Sequence, residues 1–261
     1  MLIKLVKDID KNEYPYSTIA FKSLDLNAPV VFFTGENGSG KSTILRIISQ
    51  LTNSINVSKN IDYRFEKYKG FSVSWNTKLK RGYYFQSEDF YTFLSWIEKE
   101  EQENKDLLNQ SIKKHGNRES FGKILEIGLH EGNVEKMKSM VSKFKMASHG
   151  EGYISFFSSK LRGKTLYLLD EPETPLSFQN QLTLISLIKK YVDEGSQFII
   201  CTHSPILLAY PNALIYHFSD KISITEYENH PIVRDYTSFL SSPTRYMKYL
   251  FDEEEWIWSH K

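Results

Sequence analysis

The residues with the clearest chemical meaning form a glycine-rich run from Gly35 to Thr43. The run fits the spacing G-x-x-x-x-G-K-[ST], in which the backbone N–H groups of a turn and of the following helix start bind phosphate. The lysine of this pattern reaches the outer phosphates, and the next hydroxyl takes a coordination position on Mg²⁺. The phosphate-binding residues predicted here are Gly35, Asn37, Gly38, Ser39, Gly40, Lys41, Ser42 and Thr43, with Ser42 also predicted as a metal ligand and Lys41 as a catalytic residue.

The segments on either side of this run have the patterns of a strand and a helix. Residues 29–34 are apolar, β-branched and aromatic after an initial proline, which is typical of a buried parallel strand. Apolar residues then recur at helical spacing from Ile44 to Leu51. The glycine-rich run therefore lies on a predicted strand-to-helix turn, as phosphate binding requires.

A pair of acids follows a second apolar strand. Residues 165–169 lead directly into Asp170 and Glu171. Because ligands bind at the carboxyl ends of strands in open α/β sheets, we expect both acids beside the phosphate loop. Asp170 is predicted to hold Mg²⁺, and Glu171 to act as general base or to orient the attacking water. The sequence suggests no role for the third acid, Glu173.

Two more polar residues stand at predicted strand ends. Residues 71–75 and 80–85 are expected to be paired strands, and the second ends at Gln86, whose amide oxygen is expected to face Mg²⁺ or the attacking water. The strand 197–202 delivers His203 to the same sheet edge. A lone histidine after a strand is usually structural, but beside the two phosphate-side motifs it is predicted to donate a hydrogen bond to the γ-phosphate or the water.

An aromatic residue upstream of the phosphate loop is a candidate for base recognition. Residues 2–7 and 17–26 are predicted strands, and Tyr14 lies in the turn between them. Its ring would stack on adenine, since base stacking needs only a π-face. The alternative is that Tyr14 packs the corner of the hairpin.

Composition and charge narrow the classes of protein that fit this sequence. The 33 Lys and Arg residues nearly balance the 32 Asp and Glu residues, so net charge gives no argument for nucleic acid or an anionic membrane. The one cysteine, Cys201, cannot form an intramolecular disulfide and lies in an apolar run. No segment has the roughly 20 apolar residues needed to cross a bilayer. The N-terminus lacks the pattern of a signal peptide. We therefore expect a cytoplasmic protein with no membrane insertion of its own.

The middle of the chain changes in character to helix. Two apolar stripes at helical spacing flank a heavily charged stretch between residues 98 and 119. Residues 89–160 are therefore predicted to form a small helical subdomain within a single domain that spans residues 1–261. The charged run at residues 98–103 is expected to be a solvated face.

The order of these parts resembles the ATP-binding cassette ATPase superfamily. The resemblance implies a Leu-Ser-Gly-Gly-Gln signature before the Asp-Glu pair, at the start of a helix that leaves the helical subdomain. The segment Ala147-Ser148-His149-Gly150-Glu151 stands there; Ser148 and Gly150 match, whereas His149 and Glu151 depart from the pattern. In the superfamily this signature binds the γ-phosphate of ATP held by the other subunit, so Ser148 and Gly150 are implied nucleotide-binding residues of a head-to-tail dimer.

Over nearly its full length the chain is similar to small stand-alone bacterial ATPases of the AAA or RecF/SMC-like type. The segments that carry this similarity are Tyr14 to Tyr16, the phosphate loop, Ser148 to Gly152, Asp170 to Glu173, and Thr202 to Pro211. It implies an α/β fold with a P-loop NTPase core of the cassette type, whose mostly parallel sheet has an antiparallel part. It does not name the client.

These observations predict Mg²⁺-dependent ATP binding and hydrolysis by a nucleotide-sandwich homodimer that drives a conformational change in an unidentified client protein. Two alternatives remain: the nucleotide-binding subunit of a membrane transporter, and a DNA-associated or defence ATPase that works with an effector protein. A third possibility is a nucleotide-sensing switch with negligible turnover.

Overall fold

The computed structural model describes residues 1–8, 21–56, 68–77, 79, 81–87, 102, 106 and 149–251. The predictions for Tyr14, for Ser148 and for most of the helical subdomain fall outside these residues. Within them the strands, numbered in chain order, are β1 (Leu2–Lys7), β2 (Ser23–Asp25), β3 (Val30–Gly35), β4 (Ile55–Asn56), β5 (Phe71–Trp75), β6 (Arg81–Gln86), β7 (Thr165–Asp170), β8 (Gln197–Cys201), β9 (Leu214–Phe218) and β10 (Ile222–Thr225).

The larger of the two sheets in the described part of the chain has seven strands in the order β10, β9, β3, β8, β7, β6, β4. Neighbours pair in parallel except β10, which forms an antiparallel hairpin with β9. Strands β3, β7 and β8 are buried along their whole length, as their continuous apolar sequences predict for parallel strands covered on both faces. The predicted α/β fold with a mostly parallel sheet and an antiparallel part is confirmed.

The smaller sheet corrects one pairing predicted from sequence. Strand β1 pairs antiparallel with β2 on one side and with β5 on the other, while β6 lies in the larger sheet between β7 and β4. The prediction that residues 71–75 and 80–85 pair with each other is therefore wrong. The physical reason is in their patterns: β5 alternates apolar and polar residues, as a strand with one solvated face does, whereas the second half of β6 is buried.

Helices cover both faces of the larger sheet. In chain order they are α1 (Lys41–Leu51), α2 (His149–Lys160), α3 (Phe178–Asp193), α4 (Pro205–Leu208), α5 (Pro231–Ser241) and α6 (Pro243–Leu250). The helix predicted after the phosphate loop is confirmed as α1, and the side chain of Ser177 caps the N-terminus of α3. Helix α5 had no sequence prediction. None of the helices described here is long and apolar enough to cross a bilayer.

Two apolar layers sandwich the larger sheet, because successive residues of a strand point to opposite faces. Phe32 of β3 packs into the layer shared with α2, α3, α4 and α5. Its neighbour Phe33 packs into the layer shared with α1 and the smaller sheet. The buried Gln197 at the start of β8 joins the sheets: it accepts a hydrogen bond from the N–H of Leu2 and donates to the carbonyl oxygens of Leu2, Leu26 and Ala28.

Candidate functional site

The glycine-rich run forms the turn between β3 and α1. Gly38 and Gly40 have φ of 82° and 92°, in the left-handed region that favours glycine. Gly40 is the N-cap of α1 and offers no side-chain cap, so the first N–H groups of the helix are available to an anion. The turn borders a cleft of about 380 Å³ lined by Asn37, Gly38, Gly40, Lys41, Ser42, Thr43 and Glu171.

Gly35, at the start of this turn, occupies a position at which any side chain would clash with the neighbouring strand. Its φ is 130°, and a Cβ atom there would lie 2.0 Å from the carbonyl oxygen of Phe218. The close approach arises because β3 and β9 are paired and Gly35 faces Phe218 in their register. The glycine thus lets the last residue of β3 turn away from the sheet and into the loop.

The side chain of Lys41 is held by hydrogen bonds to other residues of the glycine-rich loop. The side chain is buried, and Nζ donates hydrogen bonds to the carbonyl oxygens of Gly35 and Glu36, both at 2.7 Å, and to Ser39 Oγ at 3.3 Å. Burial lowers the pKa of Lys41, and the nearby acids Glu171 and Asp170 act in the opposite direction. The ammonium group therefore lies at the cleft with its donors directed along the loop.

Asp170 is the point at which three elements meet. This buried residue ends β7, and its Oδ1 accepts a hydrogen bond from Ser42 Oγ at 2.9 Å. Its Oδ2 accepts from Tyr84 OH at 3.2 Å and from Gln86 Nε2 at 3.4 Å. The structure thus brings together Ser42, Gln86 and Asp170 as predicted, although the amide nitrogen of Gln86, and not its oxygen, faces the carboxylate.

Tyr84 is a contact that sequence reasoning missed. It lies two residues before Gln86 on β6, so both side chains are on one face of the strand, and Gln86 stands opposite Asp170 in the β6–β7 register. Burial raises the pKa of Tyr84 well above its usual value, and the carboxylate of Asp170 adds to this. The tyrosine therefore remains a neutral hydrogen-bond donor. The feature of the sequence that points to Tyr84 is its position two residues before Gln86, on the same face of a predicted strand.

The side chains around Asp170 suit a hard cation. A cleft of about 120 Å³ is lined by Ser42, Arg46, Gln86, Ser87, Asp170 and Glu171. In the described part of the chain, no group of three or more His, Cys, Asp and Glu side chains could hold a metal by itself. One carboxylate and one hydroxyl in contact fit Mg²⁺, which takes oxygen ligands and usually completes its shell with substrate phosphates and water.

Glu171 and His203 meet at the ends of β7 and β8. Glu171 has a left-handed φ of 49°, and its N–H donates to the carbonyl oxygen of Cys201 at 3.0 Å. His203 Nε2 lies 4.0 Å from Glu171 Oε1. Burial and the charge of Lys41 lower the pKa of His203, while Glu171 opposes the shift, so the imidazole is neutral near pH 7.

The signature-like segment is described from His149 onward. His149, Gly150 and Glu151 are helical and are the first described residues of α2, in agreement with a helix at this segment. Gly150 is buried, and a Cβ atom there would lie 2.6 Å from Asn180 Nδ2 and 3.0 Å from the carbonyl oxygen of Pro175. The glycine therefore allows the start of α2 to pack against the segment that follows the Asp-Glu pair. Its role toward a nucleotide, like that of Ser148, stays a prediction.

Two family models match the chain. One, described as AAA ATPase domain, covers residues 151–208. The other, described as ABC transporter, covers residues 23–174, more than half of the chain, and includes the phosphate loop, Gln86 and both acids. The chain belongs to the ABC transporter family. It is accordingly an ABC-type nucleotide-binding domain with ATPase activity that uses ATP with Mg²⁺.

Curated relatives match the chain over different lengths. The cytochrome c biogenesis ATP-binding export protein CcmA of Saccharophagus degradans is 24% identical over 198 residues, which is 72% of this chain and 82% of the relative. The macrolide export ATP-binding/permease protein MacB of Campylobacter jejuni is 24% identical over 80% of this chain and 32% of its own length. The UvrABC system protein A of Synechocystis sp. is 40% identical over 50 residues, so this chain spans 5% of it.

Two kinds of solved structure are similar to the chain at low sequence identity. A nucleotide-free ATP-binding cassette from an ABC transporter matches with a TM-score of 0.43 and 14% identity, over 97% of this chain and 100% of the other. The SMC head domain from Thermotoga maritima matches with a TM-score of 0.39 and 15% identity, over 86% and 98%. The family assignment rests on the sequence match and not on these structures.

Proposed function

We propose that this ABC-type domain hydrolyses ATP as a homodimer that encloses two nucleotides, and that opening and closing of the dimer acts on a client protein. The observation that carries the proposal is the meeting of Ser42, Asp170, Glu171 and His203 at one edge of the parallel sheet. Residues 1–261 act as a single domain in this proposal, with residues 89–160 as the helical subdomain.

The phosphate loop supplies the binding groups in this scheme. The N–H groups at the start of α1 and the ammonium of Lys41 bind the β- and γ-phosphates. Asn37, Gly38, Ser39, Gly40 and Thr43 shape this cradle. Asp170 and Ser42 hold Mg²⁺, with Gln86 beside them, and the ion when bound neutralises charge on the phosphate oxygens.

Glu171 and His203 act on the water and the transferred phosphate. Glu171 lines the cleft and is half-exposed, so its carboxylate is free to accept a proton from a water in line with the γ-phosphate. The neutral imidazole of His203 donates a hydrogen bond to the γ-phosphate or to that water. A second copy supplies Ser148 and Gly150 to the same phosphate, and Tyr14 stacks on the base.

Two of the matches to known proteins favour one of the biological roles that the sequence leaves open. The family model and CcmA, which is named as an export protein and covers most of this chain, support work as the nucleotide-binding subunit of a transporter. This role predicts that a membrane protein co-purifies with the chain from detergent extracts. ATPase stimulation by DNA, with a steep loss of binding as salt rises, would instead favour the DNA-associated role.

The variant Glu171→Gln tests the chemical proposal. Gln keeps the size of the side chain but cannot take a proton, so we expect ATP affinity within about threefold of wild type and turnover reduced roughly 10²-fold or more. Affinity is measured with a fluorescent nucleotide, and turnover by phosphate release. Undiminished turnover would refute Glu171 as the base. Negligible turnover in the wild-type protein, with ATP bound, would favour the nucleotide-sensing switch.

A further inference from the structure

Glu173 links the two loops that carry Glu171 and His203. It lies in the turn after β7, and its Oε1 accepts a hydrogen bond from the backbone N–H of His203 at 2.6 Å. The turn around Glu173 is itself fixed, because its carbonyl oxygen accepts from the N–H of Leu176 at 2.8 Å. A carboxylate anchored on one loop thus holds the backbone of the other loop at His203, whose side chain lies beside Glu171.

The surroundings of Glu173 make this bond important. Its second oxygen, Oε2, is buried and has no hydrogen-bond partner among the described residues. Burial raises the pKa of Glu173, and the hydrogen bond from the His203 N–H works against that shift. A buried carboxyl group is costly unless it is hydrogen-bonded, so the bond to His203 is a main compensation for its position.

Further bonds hold the backbone on the other side of His203. Ser204 N–H donates to Thr202 Oγ1 at 3.0 Å, and Ser204 Oγ donates to Gln181 Oε1 at 2.5 Å and accepts from two N–H groups at the start of α4. His203 therefore has fixed backbone on both sides. Its Nε2 is buried, has no hydrogen bond within the described residues, and lies 4.0 Å from Glu171 Oε1.

We propose that Glu173 is a positioning residue for ATP hydrolysis: its hydrogen bond to the backbone of His203 keeps the imidazole in place relative to Glu171 and the phosphate cleft. The inference rests on the proposed role of His203. Glu173 lies outside the residues that line the phosphate cleft, so its loss acts on kcat and leaves ATP binding intact. A misplacement of about 1 Å in such a site can cost as much as roughly 10²-fold in rate.

A double-mutant cycle tests the proposal. We expect Glu173→Ala to lower kcat roughly 10-fold or more with KM within about twofold, and Glu173→Gln, which keeps an acceptor oxygen, to restore most of the rate. In a His203→Ala background, Glu173→Ala should change kcat by less than about twofold, since its target is gone. Glu228→Ala, which removes an exposed acid in the short 3-10 helix Tyr227–Asn229, is the control and should match wild type.

The outcomes separate the inference from the proposed function. If His203→Ala lowers kcat and Glu173→Ala lowers it by the same factor in both backgrounds, the inference is overturned and the role of His203 stands. If His203→Ala leaves kcat unchanged, the role of His203 fails first, and any effect of Glu173→Ala then has another cause. If Glu173→Ala does not fold, the amide proton of His203 in Glu173→Gln decides: we expect an upfield shift from wild type, and no shift overturns the inference.

Discussion

The carboxylate of Asp170 accepts hydrogen bonds from three side chains, of which Ser42 and Gln86 are predicted from sequence and Tyr84 is not. The bond from Ser42 follows from two motifs whose spacing is visible in the sequence. The approach of Gln86 to Asp170 is predicted from its place at a strand end, whereas the bond from Tyr84 depends on β6 being the neighbour of β7, which no local pattern specifies. Motif residues could therefore be predicted one by one, whereas Tyr84 and Glu173 could not, because their partners lie on other strands and loops.

We expect removal of the Tyr84 hydroxyl to weaken Mg²⁺ binding and to leave nucleotide binding unchanged. The Tyr84→Phe substitution removes one hydrogen-bond donor from the buried carboxylate of Asp170. The loss destabilises the observed orientation of that carboxylate by roughly 1–3 kcal/mol. We expect the Mg²⁺ concentration for half-maximal ATPase activity to rise about threefold to tenfold, with unchanged nucleotide binding in the absence of Mg²⁺. Magnesium titrations of ATPase activity measure the effect.

Tyr83→Phe is the matched control for that experiment. Tyr83 is the adjacent residue on β6, points to the opposite face and stacks on Tyr167 with ring centroids 5.9 Å apart. Its variant should titrate with Mg²⁺ as the wild type does. An equal response of the two variants, or none in Tyr84→Phe, would show that the hydroxyl does not support Asp170.

At the scale of elements, the strands and helices next to the motifs are predictable from sequence. The contacts between elements that are far apart in sequence are not. Continuous apolar runs predict β3, β7 and β8, and helical periodicity predicts α1. Helix α5 was missed. It starts at Pro231 behind His230, whose Nδ1 accepts from the N–H of Ile232, and histidine is not a usual cap in sequence patterns.

His230 ties α5 to the strand that leads into the phosphate loop. It is fully buried, and its Nε2 lies 2.7 Å from Thr34 Oγ1. Since Nδ1 accepts a hydrogen bond, Nε2 carries the proton and donates to Thr34, whose hydroxyl donates on to the carbonyl oxygen of Tyr216. Protonation of Nδ1 would remove the cap of α5. Burial and the neighbouring His217 lower the pKa of His230 to about 4.

This arrangement predicts a loss of stability in acid. Between pH 6.5, the usual histidine pKa, and about pH 4, the unfolded chain binds a proton at His230 that the folded chain does not, so the free energy of unfolding falls as pH falls. From pH 7 to pH 5, His230 should contribute a loss of about 2 kcal/mol. Urea unfolding of His230→Gln should show a lower stability at pH 7 but a smaller decrease on acidification than wild type. An identical pH dependence would contradict a neutral buried His230.

At the scale of the whole molecule, the sheet gathers the ends of β3, β6, β7 and β8 at one edge and covers both faces with apolar layers. This architecture was predictable from the order of motifs, because a phosphate loop and an Asp-Glu pair both need the carboxyl ends of parallel strands. The predicted pairing of β5 with β6 is wrong because these strands, although adjacent in sequence, lie in different sheets. The alternation in β5 is that of a strand with one solvated face.

The measurement that tests the central claim most directly is the mass of the Glu171→Gln protein in solution at saturating ATP and Mg²⁺, by size exclusion with light scattering. Without hydrolysis the closed form should accumulate, so we predict twice the chain mass of 30.5 kDa with ATP and a single chain without it. Adding Lys41→Ala to this variant should abolish the ATP-dependent dimer. A Glu171→Gln protein that binds ATP and stays at 30.5 kDa would contradict the nucleotide-sandwich dimer.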